Sequence, residues 1–164
     1  MNSTRTARLR HLVFAAPIAI TAAFSVSATA QAATGITVLP GGVFCGFNVT
    51  QNVLVDDTKT TTLSNGTTVT AGRYVVQFSA NGKSKTFDAS GPEVSSVKGT
   101  TETDVFIGPS TFLIGPKGRA NTGAPAISYS PGITVVQADT SQTPPVVTKF
   151  TPTAPVTDIC KLLA

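Results

Sequence analysis

From residue 43 onward the chain places apolar and polar side chains in short alternating runs, separated by Gly, Pro, Asn and Asp. That pattern predicts many short strands joined by tight turns. The clearest run is residues 73–80, where Tyr74, Val76 and Phe78 share one face and Val75, Gln77 and Ser79 take the other. Asn81-Gly82 follows at once, a pair that tolerates the positive φ angles of a two-residue hairpin. The return strand, residues 83–89, brings Phe87 opposite the aromatic face. Ser64-Asn65-Gly66 predicts a second hairpin between residues 60–63 and 67–70. Further strands are expected at residues 43–50, with Cys45 inside, and at 53–55, 94–98, 101–107, 112–114, 127–129, 133–138 and 146–151. Residues 115–125 read as a long polar loop. Pro144-Pro145, Pro152 and Pro155 mark edges or loops, because proline has no amide hydrogen for a central ladder.

The period changes at the end. Asp158 can cap a short helical turn that sets Ile159, Leu162 and Leu163 on one side. There is no alternation of strand and helix and no internal repeat. The fold class expected is all-β: an antiparallel meander of about eight to ten strands, forming a β-sandwich or flattened barrel, with a short C-terminal helical turn.

The first residues follow a different logic. Arg5, Arg8 and Arg10 precede a charge-free apolar run from Leu12 to Val26, and small residues follow. This is the order of a secretory signal peptide, a cleaved N-terminal helix. Ala28-Thr29-Ala30 and Ala30-Gln31-Ala32 both offer cleavage registers; cleavage after Ala32 is favoured over cleavage after Ala30. A retained anchor is the alternative, but the run falls short of the ~20 residues a spanning helix needs. The organisation expected is a signal peptide over 1–32, a flexible leader over 33–42 and one β domain over 43–164. No transmembrane segment is expected after cleavage.

Export changes the reading of charge. The 12 basic residues lose Arg5, Arg8 and Arg10 with the leader, the 8 acidic ones lose none, and the formal charge of +4 falls to about +1. The basic residues left are scattered, so neither nucleic acid nor an anionic surface is implied as a partner. In an oxidising compartment the only two cysteines, Cys45 and Cys160, are most simply one disulfide spanning the domain. Two buried thiols or an intermolecular bridge are the alternatives.

Little side-chain chemistry remains. The single histidine, His11, leaves with the leader, and with it histidine-based nucleophilic and metal chemistry. No cofactor and no metal site is expected. Ser95 and Lys98 match S-x-x-K in spacing, but in a β-type run without the companion motifs. Asp56-Asp57 sit in a turn. Glu102 and Asp104 point to one face of one strand. A glycosidase needs two carboxylates flanking a substrate, and nothing in the sequence sets any pair that way. Candidate contact residues are Tyr129, between two serines, for which a place in the core is the favoured alternative, and Lys117 and Arg119 in the 115–125 loop, with 139–145 a second contact loop.

From Cys45 onward the chain resembles a group of small secreted β-rich proteins of actinobacteria with one N-terminal and one C-terminal cysteine. The resemblance rests on Cys45-Gly46-Phe47-Asn48-Val49, Gly82-Lys83-Ser84, Ala89-Ser90-Gly91-Pro92, Asp158-Ile159-Cys160 and the apolar tail Leu162-Leu163-Ala164. It implies export, the disulfide and a β fold, and carries over no active-site residues. The proline-rich stretch 140–155 departs from it.

These readings converge on a secreted or cell-envelope module without enzymatic activity, which binds or scaffolds. Its partner would be an envelope component or another extracellular protein. A small apolar-ligand carrier is the alternative, and a carboxylate-based hydrolase a remote one. Intact mass of the exported protein should show a chain beginning at Ala33 and lacking two hydrogens; a full-length reduced chain in the medium would contradict the reading.

Overall fold

The Asn81-Gly82 turn anchors the first sheet. A computed structural model describes residues 35–164. The signal helix and the cleavage positions Ala30 and Ala32 lie outside the described residues. Asn81 and Gly82 both adopt positive φ, 52° and 72°. Their twist suits the strands they join, β5 (Tyr74–Ala80) and β6 (Lys83–Asp88). Val76 pairs with Phe87, and the Phe78 and Phe87 rings meet edge to face at 6.2 Å. β2 (Val49–Asp56) adds to the other side of β5 and β1 (Ile36–Leu39) to β2, giving the order β1-β2-β5-β6.

Two expectations change here. The segment expected as a leader contains β1. The strand expected over 43–50 begins only at Val49, and Cys45 sits instead in a set of turns. There Gly42 N donates to Cys45 O at 2.7 Å and Gly41 N to the Asn48 side chain at 2.7 Å. These local bonds hold residues 41–48 in turns and occupy the Cys45 carbonyl that a ladder would need.

The second sheet has six strands: β3 (Lys59–Thr62), β4 (Thr68–Ala71), β7 (Glu93–Lys98), β8 (Thr101–Phe106), β11 (Thr134–Asp139) and β12 (Val146–Pro152). Their order is β12-β11-β8-β7-β4-β3. The β3–β4 hairpin therefore leaves the first sheet and extends the edge of the second, interrupting a simple meander. Its root is held where Asp57 N donates to Arg73 O at 2.8 Å. Gly72 fits there with φ +145°, and a Cβ at that position would lie 2.4 Å from Asp57 O. Pro152 ends the edge strand β12, where no ladder donor is required.

Between these two lies a third, short sheet of β9 (Ser110–Leu113), β10 (Ile127–Ser130) and β13 (Thr157–Asp158), in the order β13-β10-β9. Its alternation serves both neighbours. Leu113, Ile127 and Tyr129 join Val49, Val76 and Phe78 in one core. Phe112 and Ile114 join Val136, Val147, Phe106 and Phe150 in the other. Phe112 meets Phe106 at 4.9 Å and Phe150 at 5.2 Å, both edge to face. Each strand pairing is antiparallel and none of the sheets closes into a barrel.

The expected 115–125 loop contains a helix, α1 (Pro116–Thr122). Pro116 occupies the start, where a missing amide hydrogen costs nothing, and Gly123 closes the end in the left-handed region at φ 70°. Gly118 lets α1 settle on the sheet, since a Cβ there would lie 3.0 Å from both Ile114 Cγ2 and Val147 Cβ. A second helix, α2 (Ile159–Leu163), starts at Asp158, whose side chain accepts from Lys161 N at 3.2 Å. Ile159 and Leu163 are fully buried but Leu162 is 38% exposed, so the apolar side expected of this turn is narrower by one residue.

Cys45 and Cys160 form a disulfide across 115 residues of sequence, tying α2 to the turns before β2. In the chain-entropy account a loop of that length is worth about 4–5 kcal/mol. Cys160→Ser should therefore lower unfolding free energy by about 3–5 kcal/mol in denaturant titration; an unchanged midpoint would remove the disulfide from the stability argument.

Candidate functional site

Strand register decides which side chains meet on the inner face of the six-stranded sheet. One row across it reads Thr62, Thr68, Ser95, Asp104, Val136 and Phe150. The neighbouring row reads Thr60, Thr70, Glu93, Phe106, Thr134 and Pro152. A third contributes Val97, Glu102, Ala138 and Val147. At the β12 end these rows are apolar and covered by β9 and α1. At the β3 end they are threonines, and all four residues of β3 are exposed. Glu93, Glu102 and Asp104 stand between; Glu102 and Asp104 are still covered, and Glu93 alone of the three is partly exposed.

The carboxyls here are poorly compensated. Asp104 is 1% exposed, and neither Oδ1 nor Oδ2 has a hydrogen-bond partner. Glu102 Oε1 accepts from Ser95 Oγ at 3.2 Å, while its buried Oε2 has no partner. Glu93 is half-buried. The facing strand β10 adds Ser128, whose buried Oγ is also unpartnered, and Ser130, which accepts from Thr134 Oγ1 at 2.9 Å. Burial, reinforced by the Asp104 and Glu102 charges, pushes Glu93 up to about 7. Burial pushes Asp104 up to about 6, the nearby Ser95 hydroxyl opposing and Glu102 reinforcing the rise. Neutral carboxyls are what such an interior favours.

The geometry separates several chemistries. Glu93 and Asp104 are diagonal neighbours on adjacent strands, and Glu102 and Asp104 lie two apart on one strand. They stand side by side on one face of the sheet. Among the described residues no group of three such side chains could hold a metal ion. Ser95 and Lys98 fall on opposite faces of β7 by the strand period, so the S-x-x-K spacing has no structural counterpart. Asp56 is engaged in a local turn, accepting from Thr58 N at 3.1 Å and Thr58 Oγ1 at 2.6 Å.

The contact residues expected from sequence lie elsewhere. Tyr129 is half-buried and packs on Phe87 with ring centroids 5.0 Å apart, in the core of the first sheet. Lys117 Nζ donates to Gln142 Oε1 at 3.5 Å, so α1 and the 139–145 loop are neighbours. Arg119 Nη2 donates to Val43 O at 2.9 Å and thereby fastens α1 to the turns around Cys45. Glu93 is the residue sequence reasoning missed. Its signal was present: folding residues 94–98 onto 101–107 about Gly99 sets Ser95 opposite Asp104 and Glu93 diagonal to it.

No family model matches the chain, and no curated protein or solved structure matches it either.

The raised carboxyls fix a pH dependence. Folded Glu93 and Asp104 hold protons that the unfolded chain has already released between about pH 4 and 7, so stability falls as pH rises through that window. Asp88 and Asp139, held below the usual carboxylate range by Ser90 and Ser141, act in the opposite sense only at more acidic pH. Denaturant midpoints should decline from pH 4 to 7, and Asp104→Asn should remove roughly half of that decline. A flat profile, or one unaltered in the variant, would contradict the assignment.

Proposed function

We propose that the chain is an exported binding module without enzymatic activity, and that its contact surface is the inner face of the six-stranded sheet where the middle layer ends. The observation that carries this reading is the shelf itself. Thr60, Thr62, Thr68, Thr70, Ser95 and Glu93 share one face, and the two strands nearest the edge lie beyond the core formed with β9. Hydroxyls in register offer both donors and acceptors at strand spacing, so a partner meets a ready hydrogen-bonding surface at little entropic cost. Thr60 and Thr70 already bond to one another at 2.8 Å, which holds their rotamers.

Export and an extracellular or envelope setting are supported by the leader pattern, and the disulfide fits an oxidising compartment. The carrier reading has less support. The aromatic face expected to line its cavity is packed, with Val76 0% and Phe78 1% exposed and Phe87 and Tyr129 against them. The acidic side chains, side by side, also lend little to a hydrolase.

Sedimentation of the exported protein with isolated cell-envelope material tests the proposal. The native protein should sediment with it, and the variant carrying Thr60→Lys, Thr62→Lys and Thr68→Lys should lose most of that association while unfolding at the same temperature. Equal sedimentation of both, or of neither, would overturn it.

A further inference from the structure

The inner end of the shelf is chemically unlike its outer part. Three carboxyls gather there, and among the described residues the faces around them carry no cation. β4 contributes Thr68 and Thr70, β11 contributes Thr134, Val136 and Ala138, and the covering strands contribute Ser110, Phe112, Ser128 and Ser130. Lys98 and Lys59 fall on the opposite face of their strands by the two-residue period. Asp104, 99% buried by its 1% exposure, has both oxygens unpartnered, and Glu102 has its buried Oε2 unpartnered. A buried polar group without a partner is costly, and a carboxyl oxygen is completed only by donors.

We propose that Glu93, Ser95, Glu102 and Asp104 form a recognition site for a guanidinium group, such as an arginine side chain of a partner or a free guanidino compound. The proposal rests on the binding reading above and names the ligand class of the same face. Three features select guanidinium. Its five donors suit several carboxyl oxygens at once, in the paired geometry carboxylates favour. It is more weakly hydrated than ammonium, so it enters a half-buried site with a smaller desolvation loss. Phe106 stands beside Glu93 in the same row, an aromatic surface of the kind guanidinium packs against. A metal ion has no three-ligand group to hold it among the described residues.

Binding is then coupled to protons. Cation binding favours the charged carboxyls, so affinity is high once Glu93 and Asp104 have ionised and weak where they are protonated. Glu93 is the half-buried member and the entrance, while Asp104 and Glu102 present their oxygens from behind.

Isothermal titration calorimetry of the disulfide-bonded exported protein with agmatine provides the test, with butylamine and calcium chloride as comparison titrants. Agmatine should bind at pH 8 at least about tenfold more tightly than butylamine, and at least about tenfold more weakly at pH 5 than at pH 8. Glu93→Gln, at a half-exposed position where folding is least affected, should weaken agmatine about tenfold, with Ser95→Ala as a second, smaller loss. No agmatine binding at pH 8, equal affinity for butylamine, preference for calcium, or an unaltered Glu93→Gln variant would each overturn the assignment. If envelope sedimentation still depends on the shelf threonines while agmatine fails, only the guanidinium assignment falls; if sedimentation fails too, the binding reading falls with it.

Discussion

The middle sheet has to satisfy two unlike neighbours with three short strands. One of its faces, through Leu113, Ile127 and Tyr129, completes an apolar core with β2, β5 and α2. The other face begins in the same way, with Phe112 and Ile114, but β10 presents Ser128 and Ser130 to it. Two-residue alternation makes both possible at once, and it also makes them inseparable. A shift of one residue in β10 would turn its serines into the first core and its Ile127 and Tyr129 toward the polar layer. The six-stranded sheet is therefore only partly roofed, and its polar residues collect where the roof stops.

The first core is closed from its ends. The disulfide joins α2 to the turns before β2, and Arg119 fastens α1 to the same turns. The β5–β6 turn completes the closure: Asn81 Nδ2 donates to Leu163 O at 2.9 Å, and Lys83 Nζ donates to Ala164 O. Elements distant in sequence thus meet at one corner. A fold fixed firmly there can carry uncompensated carboxyls elsewhere, since the net stability of a domain is small and a local loss has to be offset.

Much of this was legible along the chain. The 74–88 hairpin, the Ser64-Asn65-Gly66 turn and the capping of α2 by Asp158 follow from local rules, because turn chemistry and strand period act over a few residues; the cysteine pair follows from there being only two cysteines in an exported chain. What was hidden lay partly in local bonds that leave no period and partly in long-range pairing. The strand around Cys45 gave way to side-chain and backbone bonds among residues 41–48. α1 has almost no apolar stripe to announce it, because a glycine, Gly118, makes its buried contact; Pro116 and Gly123 were its only markers. The carboxyl cluster was half legible. Glu102 and Asp104 share a strand face by period alone, but the burial of Asp104 is set by β9 and β10, which no local pattern places. Tyr129 took the core position that the sequence favoured for it, packed on Phe87.

The account turns on carboxyls kept in a half-roofed interior without compensating charge. Carbon-13 NMR titration of the side-chain carboxyls in the disulfide-bonded protein measures this directly. Asp104 should titrate near 6 and Glu93 near 7, with Asp88 and Asp139 below the usual carboxylate range. All four titrating together in the ordinary range would show that the inner face is open to water, and would contradict the account.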